Sequence, residues 1–253
     1  MNEAVTSRPA RRSRNGSQEL VDDLIVIEEP VEIRLAGTAI AVLMRTPGHD
    51  TDLITGFALT EGIVLSPQEI DRIEYLGEGR YELVLRQDIT VDPEQFRRNL
   101  YATSSCGVCG KASIDAVRIA ARTAPPGPVI PPSVISNLPG KLETAQPSFD
   151  LTGGIHAAAA FTPEGDLVVA REDIGRHNAV DKIVGALTAD NWPINHPILF
   201  VSGRVSFEIV QKAAVAGFPI VAGVSAVSSL AADLAEELGL TVLGFVRDGG
   251  FNV

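Results

Sequence analysis

Between Pro197 and Val246 the chain alternates short apolar runs with stretches of helical periodicity, and few folds accommodate that rhythm. Pro197–Val201, Pro219–Ala222 and Thr241–Val246 read as strands, and Phe207–Ala216 and Leu230–Leu238 as helices. A β-α-β-α-β order implies parallel strands joined by right-handed crossovers. Just upstream, Ile155–Phe161 and Leu167–Ala170 predict two more strands around a Pro163–Asp166 turn. Ala179, Val180, Ile183, Val184 and Leu187 share one face of a predicted helix. The expected fold class is α/β (α+β overall), with an α/β domain over residues 148–253.

In a parallel α/β sheet the loops after the strands gather at one edge, and ligands bind there. Those loops are Ser202-Gly203-Arg204, Gly223-Val224-Ser225 and Phe245-Val246-Arg247-Asp248-Gly249-Gly250. Glycine lets a ligand approach the backbone, serine donates through its hydroxyl, and arginine grips phosphate bidentately. Two of the loops lead into helix N-termini, which favour anions. Ordinary turn chemistry also uses these residues, but their convergence on one edge predicts a phosphate-bearing ligand. A denser polar string, Arg171-Glu172-Asp173-Ile174-Gly175-Arg176-His177-Asn178, is predicted as a loop between the Leu167–Ala170 strand and the next helix. Arg176 and His177 are candidate binding residues within it. A solvated, salt-bridged connection is the plainer alternative.

The preceding half has a different texture. Leu24–Ile27, Val31–Leu35 and Ala39–Met44 are strand-like, a helix is expected over Asp52–Ile63, and Ile70–Tyr75 and Tyr81–Arg86 form a predicted hairpin. Residues 21–123 are therefore expected to be a strand-rich region. Seven of the sixteen prolines fall between Pro125 and Pro147, so residues 124–147 are expected to be a stiff, irregular connection. Residues 1–20 are expected to be a disordered basic tail, with Arg8, Arg11, Arg12 and Arg14 opposed before residue 18 only by Glu3. The Arg11-Arg12 pair lacks a following apolar segment, because Asp22-Asp23 interrupts it, and a cytoplasmic location is expected.

Composition narrows the class. Of 253 residues, 45% are apolar and 21% charged, which is globular. Basic and acidic side chains leave a net charge of −11, so no general affinity for nucleic acid is expected. No apolar run reaches the length of a transmembrane helix. Two cysteines in the whole chain exclude a disulfide-stapled scaffold.

Both cysteines sit in Ser104-Ser105-Cys106-Gly107-Val108-Cys109-Gly110-Lys111. Four readings compete. A thioredoxin-like dithiol would open a helix after a strand, whereas here glycines flank both thiols. A zinc site needs further ligands, and His49, His156, His177 and His196 lack the usual spacing. No metal site is therefore expected. Inert thiols are usually buried, against the Gly, Ser and Lys neighbours here. The fourth reading is a reactive nucleophile: a helix predicted to begin near Ser113, together with Lys111, would favour the thiolate. Such a thiolate could accept a sulfur atom as a persulfide and deliver it elsewhere.

The cysteine string resembles the FdhD family of formate dehydrogenase accessory sulfurtransferases. So do Gly153-Gly154-Ile155-His156-Ala157, Arg171 through Lys182, Ser202-Gly203-Arg204 and Gly244-Phe245-Val246-Arg247. The resemblance runs in order from about Val31 onward, and its most specific part is the twelve-residue string Arg171–Lys182. It implies a homodimer with a cytidine-deaminase-like α/β domain. It implies a carrier that takes sulfur from a cysteine desulfurase as a persulfide on Cys106. The carrier would pass that sulfur to the molybdenum (or tungsten) bis-pterin guanine dinucleotide of formate dehydrogenase, with Cys109 assisting. It implies that Phe245–Gly250 bind that cofactor, and Ser202, Gly203, Arg204, Ser225, Arg176 and His177 join them as candidates. GDP would then be a partial mimic. Gly250 departs from the family, which often has a basic residue there. A cofactor chaperone without sulfur chemistry, or a free-standing dithiol oxidoreductase, are the competing functions.

Overall fold

The computed structural model describes residues 3–97, 127–188, 191–194 and 196–253. Its strands and helices confirm a mixed α/β protein built on two larger sheets and one two-stranded ribbon.

The central sheet has six strands in the order β12-β11-β10-β9-β7-β8. They are β7 (His156–Phe161), β8 (Leu167–Asp173), β9 (Ile198–Val201), β10 (Ile220–Gly223), β11 (Thr241–Arg247) and β12 (Gly250–Asn252). Strands β9, β10 and β11 are parallel, as the alternating pattern requires, while β7 runs antiparallel to both β8 and β9. Every residue of β9 and β10 is buried, because both faces are covered. The period-two geometry of a strand sorts their side chains into two cores. Ala157, Ala159, Phe161, Ile198, Phe200, Ile220, Ala222 and Leu243 face one side, with Phe161 and Phe200 edge to face at 6.2 Å. Ala158, Ala160, Leu199, Val201 and Val221 face the other.

The first side is closed by helix α3 (Pro132–Glu143), whose Ile135, Leu138 and Leu142 lie in that core. This corrects the expectation of an irregular Pro-rich connection. Pro132 occupies the first helical turn, where its missing N–H costs nothing, and only Pro139 breaks an internal bond. A short helix, α4 (Pro147–Thr152), leads from there into β7.

The second side is closed by α5 (Arg176–Leu187), α6 (Phe207–Ala216) and α7 (Ser229–Leu238). The four-stranded sheet, in the order β4-β3-β6-β5, belongs to the same core. Its strands are β3 (Glu29–Leu35), β4 (Thr38–Arg45), β5 (Ile70–Gly77) and β6 (Arg80–Leu85), with α1 (Asp50–Thr60) between β4 and β5 and α2 (Glu94–Arg97) after β6. One continuous apolar cluster runs from Val31 and Ile33 through Leu53 and Leu59 to Val180, Ile183 and Ile209.

Helices α1 and α5 cross within that cluster at backbone distance. A Cβ on Gly56 would lie 1.9 Å from the Asp181 carbonyl oxygen, and one on Gly185 would lie 1.9 Å from the Asp52 carbonyl oxygen. Beside the crossing, buried Lys212 of α6 places its Nζ 2.9 Å from both carboxylate oxygens of buried Asp181 and 3.0 Å from Glu61. Thr60 donates its hydroxyl to Asp181 at 2.7 Å. Burial alone would push the Lys212 ammonium down, but Asp181 and Glu61 outweigh it and hold the lysine more firmly charged than usual.

The expected disordered tail is instead an antiparallel ribbon of β1 (Val5–Arg14) and β2 (Ser17–Val26). Asn15 and Gly16 form its turn, both with positive φ, which is the strongest short-range hairpin signal a sequence carries. Register places the basic strand opposite the acidic one, Arg8 against Asp23 and Arg12 against Glu19. Among the described helices, none is long and apolar enough to cross a membrane.

Gly56→Ala should destabilise the protein at or above the upper end of the ~1–3 kcal/mol typical of overpacking, because the obstacle is backbone. Gly140→Ala, with nothing within 4 Å of its new methyl, should be neutral or mildly stabilising in the same denaturant series. Lys212→Met should cost about 3–5 kcal/mol by leaving Asp181 buried and uncompensated. Burial already raises the Asp181 carboxyl. A carboxyl raised in the folded state contributes stability that is present at low pH and lost as pH rises. The Lys212→Met defect should therefore shrink on acidification, as read from denaturation midpoints across pH.

Candidate anion site at the carboxyl edge of the sheet

The three loops expected to gather are stitched together at the carboxyl edge of β9, β10 and β11. Ser202 exchanges two bonds with Ala157 of β7: its hydroxyl accepts from the Ala157 amide, and its own amide donates to the Ala157 carbonyl, each at 2.9 Å. Ser225 donates its amide to the Gly203 carbonyl at 3.4 Å, and Phe245 donates to the Ser225 carbonyl at 2.9 Å. Two of the glycines nearby serve this stitching. A Cβ on Gly223 would lie 2.7 Å from Val205 Cγ2, and one on Gly244 would lie 2.8 Å from Val227 Cγ2.

At the end of β11 the backbone is strained. Phe245 has φ +53° although it is a bulky residue, and it is 39% exposed. The Arg247 guanidinium stacks over that ring, 5.5 Å from its centroid. Asp248 and Gly249, both with positive φ, turn the chain into β12, where Gly250 begins. Val246 alone of this segment points into the apolar core. Phe245, Arg247, Asp248, Gly249 and Gly250 are exposed, as is Arg204.

The string Arg171–Lys182 divides into a part that ties elements together and a half-buried part at the sheet edge. Arg171 through Asp173 belong to β8, and Arg176 through Asn178 form the first turn of α5, so the expected loop shrinks to Ile174 and Gly175. Arg171 pairs with Asp52 of α1 at 2.9 Å. Glu172 accepts from the Ser148 and Phe149 amides at the start of α4. Asp173 and Lys182 form a fully buried pair at 2.7 Å. The Asp173 carboxylate also accepts from Thr46, Gly175 and Asn178. Its density of charge reflects inter-element ties more than ligand contacts.

Arg176 and His177 differ from the rest. They stand in the first turn of α5, with no acidic residue there and a glycine, Gly175, at the N-cap position, so no N-cap side chain accepts from that turn. Positive charge at a helix start opposes the macrodipole, whose positive end the first-turn N–H groups form. Helix α6 also begins at this edge without a side-chain cap, whereas Ser228 caps α7 by accepting from Ala231. His177 Nε2 lies 2.9 Å from Glu208 and 3.4 Å from the Ser206 hydroxyl. His156, the first residue of β7, completes the cluster. A Cβ on Gly203 would sit 3.5 Å from His156 Nδ1 and 3.8 Å from Arg176 Cδ. Burial pushes the His156 imidazole down, and Arg176, His177 and Arg204 push it the same way. An edge that concentrates helix starts, three arginines (Arg176, Arg204 and Arg247) and two histidines in an acidic protein is an electrostatic environment that favours anions.

Cys106 and Cys109, with Lys111 and the helix predicted from Ser113, lie outside the described residues.

The model of the FdhD/NarQ family matches residues 26–253. The chain belongs to that family. A relative from Streptomyces avermitilis named "Sulfur carrier protein FdhD" is 47% identical, across all of this chain and 94% of that one. A relative of the same name from Sulfolobus acidocaldarius is 40% identical over 95% of this chain and 92% of its own. A crystal structure of a candidate formate dehydrogenase accessory protein from Desulfotalea psychrophila superposes with a TM-score of 0.79. It covers 99% of this chain and 96% of that one at 24% identity, which supports the shared fold. The family resemblance carried by the cysteine and Arg171–Lys182 strings is thereby established.

Inorganic diphosphate should bind the edge, and Arg204→Ala and Arg247→Ala should each weaken it by roughly 10- to 150-fold, the worth of one charge-assisted hydrogen bond. Neither substitution should move the melting temperature, because both side chains are exposed. Calorimetric titration beside a thermal melt reads both.

Proposed function

We propose that this chain is a sulfur carrier in the maturation of formate dehydrogenase, acting as a cytoplasmic homodimer. It accepts sulfur from a cysteine desulfurase as a persulfide on Cys106. It delivers that sulfur to the molybdenum (or tungsten) bis-pterin guanine dinucleotide before the cofactor enters the dehydrogenase. Membership of the FdhD/NarQ family carries this reading, since relatives 40–47% identical over nearly the whole chain bear the name of a sulfur carrier.

The chemistry suits the residues. The Cys106 thiolate attacks the outer sulfur of the desulfurase persulfide, the S–S bond of that persulfide breaks, and the desulfurase thiolate leaves. Attack of the Cys109 thiolate on Cys106 Sγ would then release the outer sulfur at the oxidation level of sulfide and leave a Cys106–Cys109 disulfide, so the two thiols supply the two electrons. Cellular thiols would restore the pair. The cofactor, as substrate, carries a diphosphate in each guanine dinucleotide half. Arg176, His177, Ser202, Gly203, Arg204, Ser225 and the Phe245–Gly250 segment are the residues assigned to hold it. The exposed Phe245 ring offers a stacking face for a base, and Arg247 lies close enough to reach an adjoining phosphate. GDP is the simplest probe of that half.

Cys106→Ala should abolish support of formate dehydrogenase activity in cells while leaving GDP affinity unchanged, and Cys109→Ala should reduce support only partly. Full dehydrogenase activity with Cys106→Ala would replace the carrier by a cofactor chaperone. Mass spectrometry after incubation with a cysteine desulfurase and cysteine should find an added sulfur on Cys106.

A further inference from the structure

We propose that His156 is a proton-coupled contact of this edge, taking a proton from solvent as nucleotide phosphates arrive and returning it when they leave. The proposal rests on the reading of the edge as a phosphate site and adds a residue and a linkage to it.

The position of His156 is fixed from both sides. Its neighbour Ala157 is tied to Ser202 by two hydrogen bonds, and its ring lies against Gly203, where a Cβ would be 3.5 Å from Nδ1 and 3.6 Å from Cε1. The charged groups that face it come from every element packed around it. Arg176 and His177 stand at the start of α5, Arg204 in the loop after β9, and Asp173 opposite His156 in the β7–β8 register. Among the described residues Asp173 is the carboxylate that bears most on it, already engaged by Lys182, Thr46, Gly175 and Asn178, while Glu208 of α6 is paired with His177. Burial acts first and the positive field of Arg176, His177 and Arg204 acts in the same direction, so the free protein holds His156 below the ordinary histidine value.

A diphosphate entering this cluster reverses the sign of that field. The arginines then face the anion, and the imidazolium gains a charge-assisted hydrogen bond that neutral imidazole cannot match. The proton affinity of His156 is thus below the ordinary histidine value without ligand and above it with ligand. Between those two values each binding event takes up a proton, so affinity rises as pH falls. Outside them the protonation state is the same in both forms and the dependence flattens. One ring can contribute at most about tenfold in affinity per pH unit. This couples release of the cofactor to release of a proton, and it selects phosphate over neutral ligands of the same shape.

The test uses the full-length protein and GDP. Calorimetric titrations at about pH 6, 7 and 8, in buffers of differing ionisation enthalpy, count the protons exchanged. GDP's own terminal phosphate titrates in this range and its bound pKa responds to the same ring, so the His156 imidazole resonances, followed by NMR with and without GDP, assign the exchanged proton. The wild type should take up more protons than His156→Asn, by up to one per GDP, and gain affinity more steeply on acidification. Equal proton counts with both proteins binding GDP would overturn the role of His156 and leave the phosphate edge standing. No GDP binding by the wild type at any pH would overturn both. Should His156→Asn fail to fold, the imidazole resonances of the wild type decide the matter. The His156 titration midpoint must move upward when GDP is added, and a fixed or lowered midpoint refutes the proposal.

Discussion

The contact on which the rest of the structure depends is the crossing of α1 and α5. Gly56 and Gly185 let the two backbones meet, and no other residue could stand at either place without moving a carbonyl. Around that contact, three ion pairs tie the amino-terminal elements to the central sheet: Arg171 with Asp52, Asp173 with Lys182 beside Thr46, and Asp181 with Lys212 beside Thr60. Buried pairs of this kind contribute little net stability against apolar substitutes, but they penalise any other registration severely. The strand-rich half and the sheet half are thereby locked in one relative position. The start of α5, where Arg176 and His177 emerge, inherits that precision.

The same helix that locks the fold also carries its most evident violation of local preference. Its first turn holds Arg176 and His177 and no acid, and its N-cap is a glycine, which has no side chain to accept from that turn. Proteins keep such arrangements where function offsets their cost. The strained Phe245, the parallel stitching of Ser225 to Gly203, and the burial of His156 all lie at this one edge. Rigid positioning of donors before the ligand arrives reduces what binding must spend on ordering them.

The β9 to β11 region was legible because short, wholly apolar runs between helical stretches have almost one solution. The candidate residues on its loops followed from strand direction alone. Other parts were misread for identifiable reasons. Prolines near 132 look like breakers unless one notices that a helix begins there and that Ile135, Leu138 and Leu142 fall on one face. The amino-terminal arginines drew attention to charge, while the decisive signal was the Asn15-Gly16 pair between two segments of matching length. Arg171 to Lys182 looked like a binding loop because charge density says nothing about partners 120 residues away, and Asp52, Thr46 and Thr60 are such partners. His156 entered the sequence reading as a possible metal ligand and as part of a family string, not as a member of the edge. Its neighbours come from α5 and the β9 loop, which no local pattern reveals.

The β1–β2 ribbon has a consequence of another kind. Its ten-residue strands bury almost nothing, leaving Leu20, Leu24 and Ile25 in solvent, and its Arg12 pairs with Glu19 and Asp23 are exposed and long at 3.6 to 3.9 Å. Such pairs add little, and a lone two-stranded hairpin is only marginally stable in water. Its described packing against the body is mainly on the short helix α4, so the ribbon should open more readily than the core and sit low on the stability scale. Its amides should exchange with solvent before those of the buried β9 and β10, and limited proteolysis should cut there ahead of the central sheet.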